Sequence, residues 1–250
     1  MADVSEVPKG RGRMDGKVVL VMGGGSVMPG WGNGKAAAVL YAVEGAKVLV
    51  VDARRDAADE TASIIKAGGG AAAAHAANAT SEKDVAATIE ACMRLYGRID
   101  VLHNNVGGSG TGRSLEDITL EDWDATIARN LTSAMLSCRA VLPVMSAQGG
   151  GAIVNVSSIS SIRHLNTPTA VYSAGKAALN GFTQNIALHH AKDSIRANCV
   201  LPGYIDTPFI RRTIGGKPAY ERKGFKTAEA YATARDDSIP MRRMGTGWDV

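Results

Sequence analysis

Tyr172 and Lys176 stand one helical turn apart in the run Tyr172-Ser173-Ala174-Gly175-Lys176, with Ser157 and Ser158 just upstream. Side chains at i and i+4 share a helix face, so this spacing sets a phenol beside an ammonium. A free phenol titrates near pH ~10 and is a poor base at neutrality. A lysine ammonium roughly 5 Å away, at an effective dielectric of ~20, favours the phenolate by about 3 kcal/mol. At ~1.36 kcal/mol per unit this is about two pKa units, and a second nearby cation would bring the phenol close to neutrality. Such a pair can move a proton while a serine hydroxyl holds the oxygen concerned. The same spacing is common in surface pairs on helices, so the elements that position it decide between the two readings.

Those elements alternate. Lys17 to Met22 is a continuous apolar run suited to a strand buried on both faces. It opens into a glycine-rich loop from Gly23 to Gly34, followed by an alanine-rich helix over Lys35–Glu44 that Gly45 closes. Strand, glycine loop and helix form the layout of a phosphate cradle at a helix N-terminus. Lys47–Val51 is a second buried strand ending in Asp52. An acid about 20 residues beyond such a loop suits a ribose diol and repels a 2′-phosphate. A helix over Asp56–Ala67 and a short strand over Ala71–Ala76 follow. Ser81 with Asp84 caps a helix that runs to Tyr96 and Gly97. The strand Ile99–His103 leads into Asn104-Asn105-Val106-Gly107. Thr119 with Asp122 caps a helix carrying Trp123, Asn130, Met135 and Cys138, whose end Pro143 interrupts. Ala152–Val156 is a strand entering the serines, Ala170–His190 a long helix with Tyr172 and Lys176, and Ile195–Leu201 a strand before Pro202-Gly203. A last helix is expected around Thr227–Asp236.

This alternation predicts one α/β domain, a Rossmann-like doubly wound parallel sheet with helices on both faces. Right-handed crossovers then bring Gly23, Asp52, Asn78, Asn104, Ser158 and Pro202 to one sheet edge, beside the tyrosine. Residues 1–14 read as a flexible extension, 15–250 as the catalytic domain, and 206–240 as a segment covering the substrate.

Composition narrows the classes. The chain has 250 residues, 45% hydrophobic and 21% charged, enough for one sizeable core. Its net charge of +4 is modest, and the late cations Arg211, Arg212, Lys217, Arg222, Lys223 and Lys226 are dispersed, so neither nucleic acid nor a membrane surface is indicated. Cys92, Cys138 and Cys199 are far apart among apolar neighbours, which suits reduced thiols and a cytoplasmic location. The five histidines show no metal spacing, and no metal is expected; His164, between the serines and the tyrosine, is placed to touch a substrate. No secretory signal opens the sequence.

Taken together, these residues resemble the short-chain dehydrogenase/reductase family from about Lys17 onward. Its glycine motif looks like Met22-Gly23 with Gly32-Asn33-Gly34, the intervening loop being longer here, with Gly30 an alternative to Gly32. Asn104-Asn105-Val106-Gly107 resembles the family's NNAG. The resemblance implies that Tyr172 is the acid/base, that Lys176 lowers its pKa and holds a ribose, and that Ser158 binds the substrate oxygen. The Ser158–Tyr172 spacing is one residue longer than usual, which leaves Ser157 as the alternative. Asn130 would hold a water in the proton relay. Gly23, Gly32, Gly34, Asp52, Asn78, Asn104, Pro202, Gly203, Ile205 and Thr207 would line a nicotinamide dinucleotide, with the Asn78 carbonyl accepting from the adenine amine. NAD is expected over NADP, because no arginine immediately follows Asp52. The implied activity is interconversion of a secondary alcohol and a ketone by a homodimer or homotetramer. A cofactor-binding sensor without turnover is the rival, and an epimerase is disfavoured by the short stretch after Lys176. The family's seventh strand is expected to be missing after Gly245–Asp249, leaving Ile195–Leu201 an apolar edge prone to pairing.

Overall fold

The structure, a computed structural model, describes residues 7–110, 113–164, 168–212 and 217–250. The central strands are β1 (Val18–Met22), β2 (Lys47–Asp52), β3 (Ala71–Ala76), β4 (Val101–Asn104), β5 (Gly151–Val156) and β6 (Ile195–Val200). They form one parallel sheet in the order β3-β2-β1-β4-β5-β6. The order reverses between β1 and β4, and at such a switch the loops splay apart and open a crevice at the strand C-termini.

Two cores follow from the strand alternation. Val18, Leu20 and Met22 pack on one face with Val85, Ile89 and Cys92 of α3 (Glu82–Tyr96) and Leu136, Val141 and Met145 of α5 (Ser133–Ala147). Val19 and Val21 face the other way, onto Ala38, Val39 and Ala42 of α1 (Asn33–Val43) and Ala58, Ala62 and Ile65 of α2 (Arg55–Ala67). Leu20 stands between Leu49 and Leu102, all three fully buried, which fixes the register of the central strands.

The caps lie where the sequence places them. Ser81 accepts from the Asp84 backbone N–H, and Gly97 ends α3 in the left-handed region at φ 74°. Thr119 and Asp122 form a capping box on α4 (Leu120–Ile127). Between α4 and α5 the chain makes a π-helical turn over Ala128–Thr132, and Asn130 is buried in it. Pro143 does not interrupt the helix: α5 continues to Ala147. The proline is exposed, so water can satisfy the carbonyl left without its N–H partner.

α6 (Ala170–His189) carries Tyr172 and Lys176 and packs on β6. After β6 the chain forms β7 (Ile205–Asp206), α7 (Pro208–Arg211), α8 (Ala219–Arg222), α9 (Ala228–Asp237) and β8 (Gly245–Thr246), with β7 paired to β8. Among the described residues β6 is the sheet edge, and it is less apolar than expected, because Arg196 and Asn198 alternate outward. The segment before β1 is tied down from Arg11 onward. Glu44 accepts from the backbone N–H groups of Arg11 and Arg13 and from the Arg13 guanidinium at 2.7–3.1 Å.

Candidate active site

The glycine loop is shaped by contacts that exclude side chains. Gly23 turns at φ 80°, and its N–H and that of Gly24 both donate to the Val51 carbonyl, at 2.8 and 2.9 Å. A Cβ on Gly34 would lie 2.0 Å from the Gly23 oxygen, so α1 meets the turn with no room for a methyl. Asn105 Nδ2 donates to that same oxygen at 3.0 Å. Gly32 is the N-cap of α1 and lines the cleft, where a Cβ would meet nothing nearer than 3.8 Å. Gly30 faces Pro208 instead and is not among the cleft walls. The open start of α1 therefore presents unpaired N–H groups to the cleft, which suits a diphosphate.

Asp52 ends β2 at the cleft wall. Its Oδ2 accepts from the Gly25 N–H at 3.1 Å and its Oδ1 from the Arg54 N–H at 3.0 Å. The Arg54 guanidinium folds over the loop and donates to the carbonyls of Ser26 and Val27, at 3.1 and 3.2 Å. Arg55 turns away to pair with Asp59 at 2.8 Å. Asn78 lines the cleft, but its Oδ1 already accepts from the Thr80 N–H and hydroxyl, at 3.0 and 2.8 Å. That carbonyl is engaged in a local turn rather than offered to an adenine.

Asn104 departs from expectation. It is buried and outside the cleft walls, its Nδ2 donating to Asn155 at 2.8 Å and its Oδ1 accepting from Ser137 at 2.7 Å. Asn105, the first residue beyond β4, lines the cleft instead.

At the other end, Ser158, Tyr172 and Lys176 come together on the cleft wall. The Ser158 side chain stands close enough to the Tyr172 phenol to oppose the rise in its pKa. Ser157 lines the cleft too, but its hydroxyl donates to the Lys176 carbonyl at 3.0 Å. Ser158 is thus the serine beside the phenol. Lys176 Nζ donates to the Val156 carbonyl at 2.7 Å and lies 5.9 Å from the Tyr172 ring centre.

The electrostatics differ from the simple pair. Burial raises the Tyr172 pKa above its ordinary value, and the Ser158 side chain only partly opposes this. Burial also lowers Lys176 to about 8. Desolvation is the larger effect, so the phenol rests protonated in this site until further positive charge is added.

Asn130 is 1% exposed, and its side chain is fully used. Nδ2 donates to the Gly108 and Thr126 carbonyls, both at 2.9 Å, and Oδ1 accepts from the Gly108 N–H at 3.0 Å. A Cβ on Gly107 would lie 3.0 Å from both Asn130 Oδ1 and Lys176 Nζ, so this strip is held tightly between them. With its side chain committed, Asn130 has only its backbone carbonyl to offer a water.

Pro202, Gly203, Ile205 and Thr207 all line the cleft, whose volume is about 1050 Å³. That is ample for a dinucleotide and a small substrate together. Contacts that sequence reasoning missed include Asn105, Arg129, Tyr204 and Arg235 in the walls, and the pairing of Trp31 with Trp248 at 4.3 Å. His164 is exposed and outside the walls. No group of His, Cys, Asp or Glu among the described residues has metal-binding geometry.

Comparison with known proteins agrees with this arrangement. The cyclohexanol dehydrogenase of Acinetobacter sp. (strain SE19) is 37% identical over 198 residues, covering 79% of this chain and 76% of that protein. The levodione reductase of Leifsonia aquatica is 33% identical over 240 residues, 95% of this chain and 85% of the relative. A crystal structure of NAD⁺-bound xylitol dehydrogenase superposes with a TM-score of 0.82 at 29% identity, covering 95% of this chain and 90% of that one. The family model for short chain dehydrogenases matches residues 17–215, the span holding the glycine loop, Asp52 and the Ser158–Tyr172–Lys176 cluster, and the chain belongs to this family of nicotinamide-dependent oxidoreductases that act on hydroxyl groups.

Proposed function

We propose that this protein is an NAD-dependent oxidoreductase that interconverts a secondary alcohol and a ketone. The observation that carries the reading is the convergence of Ser158, Tyr172 and buried Lys176 on one dinucleotide-sized cleft, with the Ser158 side chain beside the phenol. A nicotinamide held by these residues would supply the hydride acceptor or donor for the carbinol carbon. Tyr172 takes the hydroxyl proton during oxidation and returns it to the ketone oxygen during reduction. Ser158 donates to that oxygen and keeps it within reach of the phenol. Lys176, fixed by the Val156 carbonyl, holds the ribose and adds positive charge beside the phenol. The Asn130 carbonyl carries the water that passes the proton outward. Gly23, Gly32 and Gly34 shape the diphosphate site, and Pro202, Gly203, Ile205 and Thr207 hold the nicotinamide end.

NAD is the proposed cofactor because Asp52 would repel a 2′-phosphate, while Arg54 is occupied by the Ser26 and Val27 carbonyls. Asn78 and Asn105 flank the adenosine half. The described residues of the 206–240 segment serve as the substrate cover, since Phe209, Tyr231 and Arg235 reach the cleft wall; 213–216 lie outside the described residues. We place the protein in the cytoplasm as a homodimer or homotetramer joined through α5 and α6. A shallow groove on α6 with half-buried Phe182 and exposed His189 supports that interface, and no described helix is long and apolar enough to cross a membrane. Calorimetric titration with NADH and NADPH tests the cofactor assignment: NADH should bind more tightly. Tighter NADPH binding would overturn it and make Arg54 a phosphate ligand.

A further inference from the structure

The charge along the cleft is lopsided. Among the described residues that form its walls, Asp52 is the only carboxylate, and it lies at the adenosine end. Arg129, Arg212, Lys223 and Arg235 all stand in the walls together with Lys176. Other arginines nearby are neutralised: Arg113 pairs with Asp122 at 2.7 Å, and Arg211 pairs with Asp206. Arg129 and Arg235 are arranged differently.

Arg129 and Arg212 sit one step from the reacting groups. The Gly107–Gly108 strip runs past Lys176, since a Cβ on Gly107 would be 3.0 Å from Lys176 Nζ. At the next residue, a Cβ on Gly108 would lie 3.3 Å from an Arg129 guanidinium nitrogen and 3.4 Å from the Phe209 ring. The Arg212 guanidinium stacks on that ring at 3.5 Å. Arg129 makes no ion pair among the described residues. Also lining the cleft, Arg235 lies 5.0 Å from the ring centre of Tyr204, the residue after Pro202-Gly203, and 5.6 Å from that of Tyr231. It donates to the Tyr231 hydroxyl and the Met244 sulfur, but to no carboxylate among the described residues. At Arg235 aromatic stacking holds the guanidinium in place without supplying a counter-charge, which suits it to an anionic partner.

Resting on the dehydrogenase reading above, we infer that the substrate is a hydroxy acid or its oxo acid. Its anionic group would be received by Arg129 and Arg235 while its hydroxyl meets Ser158 and Tyr172. A carboxylate can accept paired bonds from a guanidinium fork, and uncompensated cations in a recessed cleft raise the local concentration of such substrates. A diphosphate-binding role for these arginines is less well supported. The start of α1 already offers that group its own N–H donors, at the glycine-loop end of the cleft.

The test compares matched substrates, cyclohexanol and 4-hydroxycyclohexanecarboxylate, with NAD⁺ and the intact protein. A phosphorylated secondary alcohol forms a third arm that separates carboxylate recognition from general anion recognition. We expect a higher kcat/KM for the hydroxy acid, with its KM rising as salt is added. In Arg129→Gln, a change at an exposed position, the ratio of kcat/KM for acid to that for alcohol should fall about tenfold. Arg235→Met keeps the packing stem and should lower the same ratio. Preference for cyclohexanol with NADH binding and turnover intact would overturn this inference alone. A parallel loss of NADH affinity in both variants would reassign the arginines to the cofactor and also overturn it. No NADH formation from any arm would overturn the dehydrogenase reading with it.

Discussion

Gly34→Ala and Gly32→Ala should separate the two jobs of the glycine loop. At Gly34 the added methyl would lie 2.0 Å from the Gly23 oxygen and 2.5 Å from Asn105 Nδ2. The nearest obstacle is backbone, so relief requires α1 to move off the turn by more than an ångström and breaks the 3.0 Å Asn105–Gly23 bond. Overpacking of this kind costs roughly 1–3 kcal/mol, and the lost hydrogen bond about 1 kcal/mol more. Alanine's better helix propensity returns about 1 kcal/mol, leaving a net loss of about 2 kcal/mol. For a chain of this size that lowers Tm by roughly 4–8 °C. Gly32 differs. Its φ of −85° suits alanine, and a Cβ there meets nothing nearer than 3.8 Å. The cofactor-free protein should therefore melt close to wild type, the lost cap preference and the reduced unfolded-state entropy roughly cancelling. The methyl would instead occupy the approach to the diphosphate, and NADH affinity should fall about tenfold or more. Scanning calorimetry of the free protein and NADH fluorescence titration read the two effects. A wild-type Tm for Gly34→Ala, or wild-type NADH affinity for Gly32→Ala, would refute the reasoning.

Lys176→Ala should reduce both turnover and NADH affinity, because the ammonium serves the phenol and the ribose; loss of only one would assign it a single role. The oxidative rate should climb with pH, since burial keeps Tyr172 protonated and oxidation needs the phenolate, while the reductive rate should fall at high pH. Initial rates in both directions across pH check the sign. Glu44 is held down to about 2 by the Arg13 guanidinium and the Arg11 and Arg13 N–H groups, so its contribution is full above its ordinary 4.5 and is lost as pH falls toward 2. Glu44→Gln should lower Tm at neutral pH and flatten its decline over that acid window. Light scattering should report at least a dimer, and a monomer at micromolar concentration would contradict the α5–α6 interface.

The parts of the site that follow from local rules were legible in the sequence. The apolar runs of β1 and β2, the Ser81 and Thr119 caps and the Gly97 stop each depend on neighbours a few residues away, and all lie in the structure where expected. Pairwise choices between adjacent residues were harder. Asn104 ends β4 and Asn105 is the first residue beyond it, and which of the two turns into the core is set by the contacts of Asn104 with Asn155 and with Ser137 of α5. Ser157 and Ser158 were separated only by the carbonyl of Lys176, which occupies the first. The Asn130 side chain is consumed by Gly108 across a π-helical turn that no local signal announced. The Tyr172 pKa needed a burial that spacing alone does not give. The Trp31–Trp248 contact and the arginine walls join residues distant in sequence, so no periodicity could reveal them.

The most direct test of the central claim is turnover by Tyr172→Phe, read together with NADH affinity in the same preparation. The substitution keeps the ring that fills the wall and removes only the proton-carrying oxygen. The account predicts NADH binding close to wild type and a fall in kcat of about 10²–10⁴-fold, the usual worth of a general acid/base. Retention of more than a few per cent of wild-type kcat, with the protein folded and NADH bound, would contradict the assignment of Tyr172 as the proton carrier.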